Sequence, residues 1–120
     1  MVYKTIISAD DLKFNLDNEN FLIFDSRCDI KDSGYGIDSY TEGHIPNSIF
    51  IDVDIDLASE KRPGTGRHPL PDPNIFSEKL SHWGMSNSKQ VVVYDDAGGA
   101  FAGRLWWMLK WLGHEAVAVL

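Results

Sequence analysis

Cysteine is nearly absent: Cys28 is the single thiol in 120 residues. One thiol cannot close an internal disulfide or supply the paired ligands of a zinc ribbon, and it fits a reducing compartment. No apolar run approaches the roughly 18 residues that a membrane-spanning helix needs. The opening stretch MVYKTIISADD lacks the apolar core of a secretory signal. A cytoplasmic protein away from membranes is therefore expected. Basic side chains are scarce as well, with 11 Lys and Arg against 18 Asp and Glu and a net charge of -7. That balance excludes general nucleic-acid binding, which depends on neutralising phosphates. A local arginine cluster still admits a small anionic substrate. Repeats, low-complexity tracts and linkers are missing too. His82 and His114 stand at no metal-ligand spacing, and His44 in GHIP reads as a hydrogen-bonded turn residue, so no metal and no cofactor are expected.

What is present is one domain over residues 1–120, 43% hydrophobic and 24% charged. A helix is expected from Ser8, where a serine cap precedes two acidic residues. NFLIFDSR (20–27) and SIFIDV (48–53) read as buried parallel strands. Between them GYGIDSYTEGHIPN reads as a loop or short helix. EKRPGTGRHPLPDP (60–73) holds too much Pro and Gly for regular structure and is long for an idle connection. PDPNIFSEKLSHWG restarts a helix with Pro73 in its first turn and Gly84 at its end. QVVVYD is the clearest strand.

A further helix spans about 100–112 and stops at Gly113. Phe101, Leu105, Met108, Leu109 and Leu112 form the stripe expected to meet the sheet. Trp107 and Trp111 lie one turn apart on its flank with Arg104 beside them, implying a second packing partner. EAVAVL ends the chain as a strand whose far side has no expected cover, so the domain reads as cut short. Alternating strands and helices give an α/β class with a mainly parallel sheet flanked by helices.

VVVYDDAGGAFAGRLWW (91–107) is a strand, a glycine loop and a helix start, an arrangement that gathers backbone N–H groups around an anion or a reactive thiolate. Its mouth holds Asp95 and Asp96 and no nucleophile. One reading is an internal anion; the other is a simple helix cap by Asp96. Cys28 lies just past a strand end, where α/β sites gather. Asp25 and Asp29 beside it raise rather than lower its pKa, which favours a plain loop cysteine over a sulfur carrier.

FDSR (24–27), YTEGHIPNS (40–48), GRHPLPDP (66–73), VVVYDDAGG (91–99) and AGRLWWMLKWLGH (102–114) resemble, in order and spacing, the first domain of tandem rhodanese-type sulfurtransferases. The resemblance covers residues from Leu22 onward. It implies a rhodanese-like fold and an enzyme that moves sulfane sulfur from thiosulfate or 3-mercaptopyruvate to cyanide or a thiol. The persulfide cysteine would belong to a second rhodanese domain of the same chain. In the first domain an aspartate holds the nucleophile position, here Asp95 or Asp96, so no catalytic residue is expected in these 120 residues. His68 and Asp54 match residues that support the second domain's site, a histidine and carboxylate suited to proton transfer. Surface-loop placement is the alternative for His68. Arg27 and Arg104 read as structural or interface groups, Arg27 with a partner such as Asp25 and Arg104 with the Trp107 and Trp111 surface. The alternative function is a stand-alone inactive rhodanese module that binds a partner protein. A phosphatase of similar fold would need a loop cysteine followed six residues later by arginine, which is absent.

Overall fold

The structure is a computed structural model that describes residues 2–59 and 69–120. Four strands alternate with helices: α1 (Ala9–Phe14), β1 (Phe21–Asp25), α2 (Tyr35–Glu42), β2 (Ile49–Phe50), α3 (Pro73–His82), β3 (Gln90–Tyr94), α4 (Ala102–Trp111) and β4 (Val117–Val119). They form one parallel sheet in the order β2-β1-β3-β4. The central pair is in full register, from Phe21 opposite Gln90 to Asp25 opposite Tyr94. The α/β class with a parallel sheet and flanking helices is thus what the chain adopts.

Strand alternation divides the core in two. Phe24, Val91, Val93 and Val117 pack with Phe76, Leu80, Leu105, Met108 and Leu109 from α3 and α4. Ile23, Val92, Tyr94 and Ala118 face the other way, onto Ile7 and Leu12. Both faces are covered, which explains why β3 is buried at every position and reads as a continuous apolar run.

The helix starts follow local chemistry. Ser8 Oγ accepts from the Asp11 amide at 3.1 Å, and Asp72 accepts from the amides of Asn74 and Ile75 ahead of Pro73. Gly84 takes φ +92° just beyond α3, the left-handed turn that glycine permits at a helix end.

Three expectations are corrected. The strand expected over 48–53 contains only Ile49 and Phe50. Asp52 ends it: its Oδ1 accepts from the amides of Asp54 and Ile55 while its own amide donates to Asp56 Oδ2, folding the chain out of the ladder. Ile51 and Val53 still reach the core. Leu112 caps α4 rather than joining the buried stripe, and it is exposed. The far side of β4 is also covered. Ile7 N–H donates to the Val119 carbonyl at 3.0 Å, and Val119 N–H donates to the Thr5 carbonyl at 2.9 Å, as a parallel bridge.

α2 approaches the β1 loop as closely as backbone allows. A Cβ on Gly36 would lie 2.2 Å from the Arg27 carbonyl oxygen and 3.0 Å from the Phe50 ring. Gly36→Ala is therefore expected to destabilise the fold by about 2 kcal/mol, the cost of overpacking against backbone that cannot yield. Urea unfolding at pH 7 measures it, and an unchanged midpoint would mean that α2 shifts without cost.

Candidate functional site

β3 delivers the chain to the carboxyl end of the sheet at Tyr94, where open α/β folds place their sites. The loop that follows turns through Gly98 at φ +68° and Gly99 at φ +91°, a path glycine follows without strain. This path turns four amides inward onto one carboxylate. Asp95 Oδ1 accepts from Ala97 and Gly99 at 2.9 Å each, and Oδ2 accepts from Phe101 and Ala102 at 2.8 Å each. Burial alone would raise the carboxyl's pKa. The amides of Ala102, Ala97, Gly99 and Phe101 outweigh it and hold Asp95 below the ordinary carboxylate value.

The two aspartates have separate surroundings. Asp95 lies inside the ring and serves as the cap of α4 from a distance, since Phe101 at the helix start offers no capping side chain. The cap that the sequence assigned to Asp96 therefore comes from Asp95. Asp96 is exposed and accepts a hydrogen bond from the Tyr35 hydroxyl of α2. That bond, with the carboxylate's charge, raises the Tyr35 phenol pKa.

Below the loop lies a buried polar group of residues. Asp25 is fully buried. Arg27 grips it through Nε at 3.0 Å and Nη2 at 2.7 Å, and the same Nη2 donates to the Gly43 carbonyl at 2.7 Å. The bonds to Asp25 raise the pKa of the guanidinium. Tyr94 Oη donates to Asp25 Oδ2 at 2.9 Å and accepts from the Ile45 amide at 3.1 Å. Burial is the main cause that lifts the Tyr94 phenol. Arg27 with Asp25 is thus a structural pair joining β1 to the end of α2. Sequence reasoning missed Tyr94 and Ser48, which approaches it at 3.3 Å. The available signal was a polar-tipped aromatic ending an otherwise aliphatic strand.

Arg104 takes the structural one of its two expected roles. Its Nε donates to the Leu57 carbonyl at 2.9 Å and its Nη2 to the Pro69 carbonyl at 3.3 Å, so it ties α4 to the connection that follows β2. Burial lowers its pKa. Trp107 and Trp111 are 49% and 43% exposed, with rings stacked 6.0 Å apart.

Cys28 is half-buried. Burial first, and then the charges of Asp54, Asp52 and Asp29, push its thiol up to about 11. Asp29 acts as expected; Asp25 is engaged by Arg27 and Tyr94 instead. Asp54 is exposed, and its influence on Cys28 places it near that thiol. His68 lies outside the described residues. His44 Nδ1 meets the Tyr40 carbonyl at 2.7 Å, and its ring stacks on that of Tyr40. Among the described residues, no group of three His, Cys, Asp or Glu side chains is placed to hold a metal, and no helix is long and apolar enough to cross a membrane.

The loop geometry can hold an anion or a thiolate, while the carboxylate now in it is a poor nucleophile toward sulfur. Residues 8–120 match the family model described as a rhodanese-like domain. A probable 3-mercaptopyruvate sulfurtransferase of Pseudomonas aeruginosa is 46% identical over 111 residues, covering 92% of this chain and 39% of that protein. The 3-mercaptopyruvate sulfurtransferase of Escherichia coli is 31% identical over 116 residues, covering 95% of this chain and 40% of that protein. Among solved structures, the 3-mercaptopyruvate sulfurtransferase from Leishmania major superposes with a TM-score of 0.88 at 32% identity, over 97% of this chain and 32% of that one. The chain thus spans well under half the length of these relatives.

Proposed function

The chain belongs to the rhodanese-like domain family, and from that premise we propose that it is the non-catalytic N-terminal domain of a tandem sulfurtransferase. The parent enzyme would carry sulfane sulfur from thiosulfate or 3-mercaptopyruvate to cyanide or a thiol. In that reaction a cysteine thiolate of the second domain attacks the donor's sulfur and forms an S–S bond. Sulfite leaves from thiosulfate; pyruvate leaves from 3-mercaptopyruvate after its C–S bond breaks and a proton is taken up. The acceptor then attacks the outer sulfur, breaks the S–S bond and restores the thiolate.

The observation that carries this reading is the Asp95 carboxylate filling the four-amide ring. A carboxylate there cannot hold a persulfide, and its charge opposes an incoming anionic donor. The sole thiol, with its pKa at about 11, is protonated at neutral pH and has no such ring. The length of the relatives supports a missing catalytic half. This domain would supply scaffold and one wall of the cleft, with His68 and Asp54 handling protons beside the second domain's cysteine. Trp107 and Trp111 offer an apolar surface for that domain.

Thiocyanate formation from either donor and cyanide tests the reading. The 120-residue chain should show no turnover above its Cys28→Ser variant, and turnover lost on that substitution would overturn the proposal. The intact mass of the native gene product from its own cells complements this test. A mass well above 13.5 kDa is expected. A mass of 13.5 kDa would favour an inactive partner-binding module, for which the exposed, stacked Trp107 and Trp111 are the supporting observation.

A further inference from the structure

The two faces of the sheet are covered unequally. α3 and α4, ten residues each, lie on the face that carries Phe24, Val93 and Val117. On the other face, among the described residues, the six-residue α1 and the turn at Ile45 help to cover Ile23, Val92, Tyr94 and Ala118. Between α1 and that turn runs an apolar groove of about 270 Å³, lined by Leu12, Leu16, Ile45, Pro46 and Leu120. Lys13 is the one charged side chain among its described lining residues.

The walls of the groove are fixed by hydrogen bonds. Asn47 Nδ2 donates to the Leu16 carbonyl at 3.0 Å, joining the end of α1 to the turn, and the Ile45 amide donates to Tyr94 Oη at 3.1 Å. The Leu120 amide donates to the Val93 carbonyl at 3.1 Å, so residue 120 is still held against β3. Strand alternation turns Leu120 to the same face as Ala118. There Ala118 is fully buried, while Leu120 is 40% exposed.

A parallel sheet needs apolar cover on both faces. We propose that the polypeptide following Leu120 in the parent enzyme lies across this second face beside α1 and seats apolar side chains in the groove. The inference rests on the tandem-enzyme reading, in which the chain continues into a second domain. The relatives supply the length, being more than twice as long as the stretch that matches this chain. The position selects the occupant. Leu120 is itself a wall of the groove, so the residue bonded to it starts at the groove's edge. The opposite face is already taken, since Leu105, Met108 and Leu109 of α4 pack with Val117 there. The groove is also smaller than the roughly 300–1,000 Å³ of a small-molecule pocket, a size that suits a few aliphatic side chains.

Ala9→Cys reports on the groove, because Ala9 is exposed and lines it. The variant is made in the 120-residue chain, in the full native gene product, and in the chain extended by about twenty native residues past Leu120, enough for about 30 Å of helix. Timed iodoacetamide labelling with peptide mapping reads that thiol alone. Labelling should be at least roughly tenfold slower in the two longer proteins, because the covered thiol reacts only when the groove opens. A longer native product labelled as fast as the 120-residue chain would overturn the inference and leave the tandem reading intact. Protection in the full product but not in the extended chain would also overturn it, since the second domain would then be the cover. A native product of 13.5 kDa would remove the tandem reading and the inference together. Hydrogen exchange on the unsubstituted proteins guards against a variant that fails to fold. The α1 amides, measured relative to those of β3, should exchange more slowly in the full product than in the 120-residue chain, and an equal ratio would sink the inference.

Discussion

The Asp95→Cys variant is expected to react with iodoacetamide at pH 7 about a hundredfold faster at the introduced thiol than at Cys28. Burial and three aspartates hold the Cys28 thiol at about 11, which leaves about one part in ten thousand ionised at pH 7. A thiol at position 95 would meet the four amides that now bond the carboxylate and the start of α4. Thiols in such surroundings titrate at about 3.5–7.5, so a large share is thiolate at neutral pH. The lower basicity costs part of the gain, because thiolate nucleophilicity falls with pKa, and about two orders of magnitude remain. Peptide mapping after timed alkylation separates the two thiols. Equal rates would mean that the ring is shaped for a planar carboxylate and does not stabilise sulfur, removing the physical basis for relating this loop to a persulfide site.

Asp95→Asn is expected to cost about 3 kcal/mol in urea unfolding at pH 7. The amide keeps one acceptor oxygen but presents its NH2 to two backbone donors, and unmatched donors at a charged acceptor's former place cost about 1–3 kcal/mol each, with water relieving part of this half-exposed site. The pH dependence supplies a second signature. The folded Asp95 carboxyl has a depressed pKa, so its contribution is present above the unfolded value of about 3.9 and is lost as pH falls through the lower folded value. The parent chain should therefore lose stability across this acid range, while the variant lacks that component. A variant with the parent's stability at pH 7 and the same acid profile would show that the four bonds contribute nothing net.

Much of the fold was legible because local rules and tertiary demands agree. Ser8, Asp72 and Pro73 mark helix starts by their own chemistry, and the aliphatic run of β3 admits one placement only, with both faces covered. β2 was read too long because Ile51 and Val53 are buried yet lie beyond the ladder, and a pattern of apolar residues reports burial rather than pairing. Asp52, which ends the strand, acts through turn bonds that depend on loop geometry. The loop at 95–102 was readable as an anion cradle from its glycines, but the choice between Asp95 and Asp96 needed coordinates. One residue of shift moves a side chain from the inside of the ring to the Tyr35 hydroxyl. The Arg27–Asp25 pair is legible two residues apart, but Tyr94 joins it from 69 positions away, and no local pattern connects them. Arg104 reads as structural or interface from its sequence, but two of its partners lie 35 and 47 residues earlier, where no local pattern points.

The hydrogen bond from Ile7 to Val119 also governs the order in which the chain can assemble as it is made. The two residues stand 112 positions apart, while the central β1–β3 pairing needs nothing beyond Tyr94. A nascent chain can therefore bring its central strands together while its first residues still wait for a partner inside the ribosomal tunnel. Closing so long a loop is slow relative to local folding, so topology places this bridge among the last events. During synthesis the segment leading to Ile7 is left to solvent until Val119 emerges to receive it.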